Sequence, residues 1–546
     1  MTRLLVKYRP GATAAGADGV TGAGGVTAVR LRPGRAVGGG VTTVALERPV
    51  DLDTARRAAS QLAADPRVEY AEPDIVLTAA SATAPNDPML PSQWALIGES
   101  GTRAPVAWAR TTGTGAVVAV LDTGITAHPD LAGQLVDGYD LIDDLTVAAD
   151  GDGRDPDPTD PGDWTGTAAS SWHGTHVTGI VAAASDNGVG IASVAPGARV
   201  QPVRVLGRGG GYLSDIEAGV RWAAGLPVPG VPANPTPAQV INMSLSGSAA
   251  DGCPASLQQA IDAAVAAGTT VVVAAGNNGA SASGYTPANC ARVVTVAATG
   301  PEGYRASYSN NGRAIDLAAP GGDFRGYGTG GGVLSTRNTG TSGPGAPAYA
   351  YLQGTSMAAP HVAGAVALML AVDPRLTPAQ VEARLTGSAR AEASCSVADC
   401  GAGLLDAGAA LPVVAPGAPQ QVTVSPQPGA LDVTWTPPAS DGGAPVTEYT
   451  ARAHTQAAGG TVAASCSTAG LACALTGLRD GRTYHVDVVA RSSAGAGPPS
   501  APRVASTPRA GPAVRWWGAD RYATAAAVSA GAFSPGVGTV FVATGA

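Results

Sequence analysis

The chain is almost without lysine: Lys7 stands alone, and 32 of the 33 basic residues are arginine. Charge of either sign is scarce, with 14% charged residues against 45% hydrophobic, so most of the chain can bury a core. The 33 basic and 41 acidic residues leave a net charge of −8. A nucleic-acid partner is thereby excluded, because nothing would neutralise its phosphates. There is no run of 18 apolar residues, so the sequence offers no membrane span. It also has no CxxC and no Cys/His cluster at zinc spacing. No export signal is read at the start: Met1 leads almost directly into the strand-like Leu4-Leu5-Val6-Lys7-Tyr8, so any such signal is expected to have been removed or never included.

What is abundant is turn chemistry. The 75 glycines and 43 prolines argue for many tight turns rather than collagen or bulk disorder. The six cysteines fall in three local pairs: Cys253 with Cys290, Cys395 with Cys400, and Cys466 with Cys473. About fifteen connectivities are open to six cysteines. Pairing within each segment is expected, and it implies an oxidising, extracellular setting. At ~150 residues per domain, 546 residues make three or four domains.

Residues 1–80 read as a small α+β unit with a helix from about Asp53 to Ala63, followed by a polar tail, Ser81 to Asp87. Residues 85–412 alternate strand and helix signals. Strands are expected at 116–121, 200–206, 240–245, 270–275 and 293–297, and helices at 173–184, 213–224, 255–267 and 356–370. Short apolar strands separated by helices predict an α/β fold, a parallel sheet covered on both faces. The site of such a sheet lies at the carboxyl ends of its strands. After a Pro/Ala linker, residues 417–508 switch to period-two strands such as Leu431 to Trp435 and Tyr484 to Val488, which predicts a β-sandwich. Residues 513–546 open another unit and stop mid-element, so the chain reads as truncated.

Three element ends carry a nucleophile set. Asp122 ends an apolar strand in Val120-Leu121-Asp122-Thr123-Gly124, His173 opens His173-Gly174-Thr175-His176, and Ser356 sits in Gly354-Thr355-Ser356-Met357-Ala358-Ala359-Pro360. A serine hydroxyl is a weak nucleophile that needs an adjacent base, and that base needs an orienting carboxylate. Singly, each residue has a plainer reading as a turn, helix-start or capping residue. Together, in the order Asp, His, Ser, they closely resemble the subtilisin family of serine proteases over about 320 residues. The resemblance implies a subtilisin-like sheet and a serine endopeptidase that hydrolyses peptide bonds through an acyl-enzyme. Asp122 would orient His173, His173 would act as base and then acid, and Ser356 would attack. Asn277, in Ala275-Gly276-Asn277-Asn278-Gly279, matches the family's oxyanion asparagine, with Ala275 and Gly276 beside substrate. Ser244-Leu245-Ser246-Gly247 resembles the strand that pairs with extended substrate, although many relatives have Gly where Ser246 stands. His176 and His361 read as packing residues.

The resemblance to thermitase-like members implies calcium. Asp87, Asp130 and the side chain of Asn187, with the carbonyls of Ala184, Val189 and Ile191, match one site. Asp140 and Asp143 match a second, with Asp150 and Asp152 in a longer loop. Residues 1–80 resemble a ferredoxin-like, inhibitor-like propeptide, made as part of a zymogen that cleaves itself. The stretch Ala79 to Ala84 is the expected cut, giving a mature N-terminus between Ala80 and Pro85. Residues 417–508 resemble a fibronectin type III domain. Residues 513–546, with Arg515-Trp516-Trp517-Gly518, resemble the start of a cell-wall-binding repeat. The expected partners are protein or peptide substrates, the protein's own propeptide and a cell-wall polymer. The expected setting is secreted, the expected state monomeric. Two alternatives stay open: a catalytically inactive binding protein on this fold at the cell surface, and the serine-carboxyl peptidases, which use Glu and Asp in place of His and which His173-Gly174-Thr175-His176 disfavours.

Overall fold

The computed structural model describes residues 3–9, 31–38, 41–46, 52–74, 85–392, 395–457 and 460–509, and the short strands Val514–Arg515 and Tyr522–Ala523. The expected cleavage stretch, and the residues of 513–546 outside those two strands, lie outside the described residues. The chain divides into two compact units, Met1–Ala82 and Thr83–Ala546.

The first unit is a four-stranded antiparallel sheet in the order Leu31–Gly38, Val41–Leu46, Arg3–Tyr8, Val68–Pro73. Alternation along the central strand sends Leu4 and Val6 inward, against Ala55, Ala59 and Leu62 on the helix Leu52–Ala63. This strand order is that of the ferredoxin-like fold.

The second unit is built on a seven-stranded parallel sheet. Its order is Leu317–Pro320, Val294–Thr299, Thr270–Ala274, Val240–Met243, Val117–Asp122, Arg199–Arg204 and Tyr139–Asp140. The strand Val117–Asp122 is buried on both faces. Val118 and Val120 enter a core with the helices His173–Ala182 and Thr355–Val372, while Val117, Ala119 and Leu121 enter a second core with the helices Leu213–Ala223 and Ala255–Ala266. This accounts for the continuous apolar run in the sequence. The first strand is followed by neighbours on one side and then by Val240–Met243 on the other, so the order reverses between these two strands. A crevice opens at such a reversal, beyond the carboxyl ends, and Asp122 and Ser244 stand at its two lips.

The helix Thr355–Val372 is long and apolar enough to cross a bilayer, but 83% of it is buried within the domain, so it serves as the core helix. His361 on that helix has its Nδ1 2.7 Å from the Met357 carbonyl oxygen and is 1% exposed. Burial lowers its pKa to about 4. The unfolded chain therefore binds more protons than the fold between that value and ~6.5. The contribution of His361 to stability is full above about pH 6.5 and is lost as pH falls from there through 4. His361→Gln is expected to flatten the dependence of unfolding free energy on pH between 6 and 4.5 by about 1.4 kcal/mol per pH unit. Denaturant titrations at several pH values check this, and an unchanged slope would refute it.

The antiparallel pair Val333–Asn338 and Pro347–Leu352, absent from the sequence reading, braces the helix His173–Ala182. Ser335 and Thr336 hydroxyls donate to the carbonyls of His176 and Thr175, and His176 Nε2 meets Ala350 O. Gly179 is required there, since a Cβ would lie 2.2 Å from Thr336 Oγ1. Residues beyond the linker form two antiparallel sheets around Trp435, Tyr449, Leu478 and Tyr484, and the Tyr484 hydroxyl accepts the Arg479 N–H at 3.0 Å. All three cysteine pairs are bonded as the sequence suggested.

Candidate active site

Asp122 is fully buried at the end of its strand, where His173 Nδ1 lies 2.8 and 2.9 Å from its two carboxylate oxygens. That pairing places the proton on Nδ1 and leaves Nε2 as the free lone pair. Burial works against a charged imidazole, but the adjacent Asp122 carboxylate outweighs it, with Asp163 and Asp160 adding to the effect, so the His173 pKa is raised. The helix carrying His173 starts from Trp172, whose φ of 53° is left-handed for a residue with a side chain. Such a conformation costs on the order of 1–3 kcal/mol. The fully buried indole, donating to Gly340 O at 2.7 Å, holds it in place. Gly174 lets this helix approach the Asp122 turn, since a Cβ would sit 2.2 Å from Gly124 O.

Ser356 stands in the first turn of the core helix, and its hydroxyl donates to the Ser244 carbonyl at 3.2 Å. Among the described residues it makes no hydrogen bond to His173. The Ser244 hydroxyl in turn donates to Ser356 O at 2.8 Å, which ties the Ser244 loop to the start of the core helix. Asn277 accepts the Thr355 N–H and hydroxyl, each at 2.9 Å, through its Oδ1. Its Nδ2 is thereby turned outward. A Cβ placed on Gly354 would lie 3.6 Å from both Asn277 Nδ2 and Ser356 N, so these two donors are neighbours around Gly354.

Ala275 and Gly276 lead into this loop. Gly276, at φ 99°, gives its N–H to the Thr355 hydroxyl at 3.1 Å. Asn310, which sequence reasoning missed, braces the loop: its Nδ2 donates to Ala275 O, and its Oδ1 accepts the N–H of Asn278 and of Ala280. Leu245 is half-buried, while Ser246 and Gly247 are exposed. Gly247 already pairs with Thr286 in a short antiparallel bridge.

Residues 113–407, which hold Asp122, His173, Asn277 and Ser356, match the subtilase family, and residues 417–506 match the fibronectin type III domain. The chain belongs to the subtilase family. This subtilase is a serine endopeptidase by that membership. It is 47% identical over 431 residues to an extracellular protease of Xanthomonas campestris, covering 75% of this chain and 72% of that one. Thermitase of Thermoactinomyces vulgaris is 37% identical over 287 residues, covering 52% and 85%. A protease structure from Pseudoalteromonas arctica is 49% identical, with a TM-score of 0.58 over 60% of this subtilase and 99% of that chain.

The residues matched to calcium fall in two different settings. Asp87 and Asp130 are both buried, and Asp130 adds to the burial that raises the Asp87 pKa. Asp87 Oδ2 accepts the Asp186 N–H, while its Oδ1 is buried with no protein partner. Asp130 takes Asn187 Nδ2, the Ile191 N–H and the Tyr349 hydroxyl. Asn187 Oδ1 accepts the Val189 N–H, and the Ala184 N–H donates to Asp130 O. Two coupled buried carboxylates with one orphaned oxygen on Asp87 fit a hard cation, with Asn187 beside Asp130 through its amide nitrogen. In the second group, the buried Arg204 guanidinium pairs with Asp140 and Asp150 and with Ala148 O. Asp143 gives its N–H to Asp215, which is paired with Arg154, and the Asp152 N–H faces Asp150. There the protein supplies its own cation, a role that Arg204 did not announce in sequence.

Proposed function

We propose a secreted serine endopeptidase acting through Asp122, His173 and Ser356, made as a zymogen whose residues 1–80 are removed by its own active site. One observation carries this reading: His173 Nδ1 meets both oxygens of the buried Asp122, in a chain whose Ser356 opens the core helix with Asn277 Nδ2 and its own backbone N both close to Gly354. A substrate carbonyl oxygen placed between Asn277 Nδ2 and the Ser356 N–H would be held by two donors. The Ser356 hydroxyl, released from Ser244 O by rotation about one bond, would give its proton to His173 Nε2 as its oxygen attacks carbon. His173 would then protonate the leaving amine, and water would repeat the cycle to free the acyl group. The raised His173 pKa suits both proton transfers. A serine-directed fluorophosphonate is expected to label Ser356 stoichiometrically in the matured protein. Absence of labelling, or labelling elsewhere, would overturn the reading.

Secretion is supported by the three bonded cysteine pairs and by relatives named as extracellular proteases. The propeptide reading is supported by the strand order of the first unit, and attachment to a cell-wall polymer by the residues after 513 alone. Calcium is proposed at the first site only, held by Asp87, Asp130, Asn187 and the carbonyls of Ala184, Val189 and Ile191. Bound there, it would neutralise two buried carboxylates and tie Asp87 to the 184–191 loop. A ligand bound only by the native state at about 100 times its Kd adds ~2.7 kcal/mol. Chelation is therefore expected to lower the melting temperature and hasten autolysis, and Asp87→Asn should abolish the difference. A melting curve indifferent to chelator would count against the site.

A further inference from the structure

A second carboxylate lies behind the Asp122–His173 pair. Asp160 is 1% exposed, in a loop rich in acid and proline. The loop is stitched to the strand end. Ile125 N–H donates to Pro158 O at 3.0 Å, and Asp160 N–H donates to Ile125 O at 2.9 Å. The two Asp160 oxygens are divided: Oδ1 accepts the Gly162 N–H at 2.8 Å, and Oδ2 accepts the Thr123 hydroxyl at 2.7 Å.

Thr123 is the hub. Its hydroxyl proton is committed to Asp160, so a lone pair is aimed elsewhere. It receives the Gly174 N–H at 3.1 Å, in the first turn of the helix that starts at His173. The Thr123 backbone N–H donates to Asp122 Oδ1 at 2.8 Å, the same oxygen that faces His173 Nδ1. One hydroxyl and one amide of a single residue therefore fix both partners of the pair, and Asp160 fixes the hydroxyl. Without an anionic acceptor, the hydroxyl is free to turn its proton toward Gly174 N–H, donor against donor.

We propose that Asp160 is a positioning residue for the peptidase reaction, holding Thr123 so that Asp122 and His173 meet in the productive geometry. The inference rests on the triad reading above. Burial pushes the Asp160 carboxyl up to about 6. The charged groups that face it are Asp163 on its own loop, Arg204 on the neighbouring strand and His173 on the helix. Above that pH its negative charge also favours protonated His173.

Asp160→Asn keeps the shape, but one of its two acceptor oxygens becomes a donor. The expected result is a kcat lower by about 10- to 100-fold, the range for small misplacement of reacting groups, with KM little changed. The acid limb of kcat/KM should move to lower pH, because an anion that raises the His173 pKa is gone. Rates are taken per titratable serine, so loss of folded protein does not count. Thr123→Val removes the same hydroxyl and should lose activity similarly, with the double variant no worse than the poorer single one. Thr123→Ser should retain activity. A wild-type kcat per site and an unmoved acid limb in Asp160→Asn would overturn the proposal, as would strictly additive losses in the double variant. Those results would leave the triad standing, provided that Ser356→Ala is inactive. An active Ser356→Ala would overturn the triad itself.

Discussion

Ser356→Ala is expected to reduce peptidase turnover by about six orders of magnitude, the scale known for loss of the nucleophile in a subtilisin, and to stop self-processing. The substitution removes one oxygen from a buried turn whose backbone stays held, because the Ser244 hydroxyl bonds to Ser356 O rather than to the side chain. The protein should therefore fold. Asn277 and the backbone N–H of position 356 are untouched by the change, so substrate should still bind. With no attacking oxygen, the chain should accumulate as the uncut form, and the parent should start between Ala80 and Pro85. Mass spectrometry of both proteins reads this out. A Ser356→Ala variant that still sheds its N-terminal unit when purified alone would remove Ser356 from the nucleophile role. A mature start beyond Asp87 would contradict both the cut and the calcium site.

Asn277→Ala should leave KM within a few-fold of the parent and lower kcat by about 10²–10³, the loss established for such a donor in subtilisin rather than one obtained from this geometry. The split follows from where charge develops. The ground-state carbonyl oxygen is a weak acceptor, whereas the tetrahedral oxygen carries a negative charge and gains most from the Asn277 amide. Asn277 is also locked through Oδ1 to Thr355 N and to the Thr355 hydroxyl, so no reorganisation is needed during attack. Asn277→Asp would keep those acceptors but put a carboxylate oxygen where a donor is needed, and it should be at least as damaging as Ala. Unchanged turnover in Asn277→Ala would remove this residue from the oxyanion role.

The sequence made the strands and helices legible where their burial is uniform. Val117 to Leu121 is apolar because it faces two cores, and Thr355 to Val372 because it is enclosed. The chemistry was legible because it sits at the ends of these elements, in short motifs. What escaped depends on tertiary contact. Asp160 and Asp163 look like two more acids in an acidic, proline-rich loop, and only the bridge to Ile125 brings that loop behind Asp122. Asn310 lies 33 residues after Asn277 with nothing local to link them. Arg204 sits on a strand that reads as half-polar, and its pairing with Asp140 and Asp150 depends on the parallel register of Tyr139–Asp140 with Val203–Arg204. The pair Val333–Asn338 and Pro347–Leu352 has a long, glycine-rich turn, and its polar Ser335 and Thr336 face a helix rather than solvent.

The proposed nucleophile, Ser356, rides on the helix that fills the first core. Met357, Ala358, Val362 and Val366 of that helix are enclosed against strands from across the whole domain. A ribosome-bound chain carries Asp122 and His173 long before it carries this helix, and until the helix docks the proposed attacking oxygen and second oxyanion donor would both be missing. On that reading, hydrolytic capacity would wait on the docking of this helix, and a chain lacking it would be harmless to its neighbours. The same coupling makes a covalent serine probe a census of intact molecules: each label counts one finished domain.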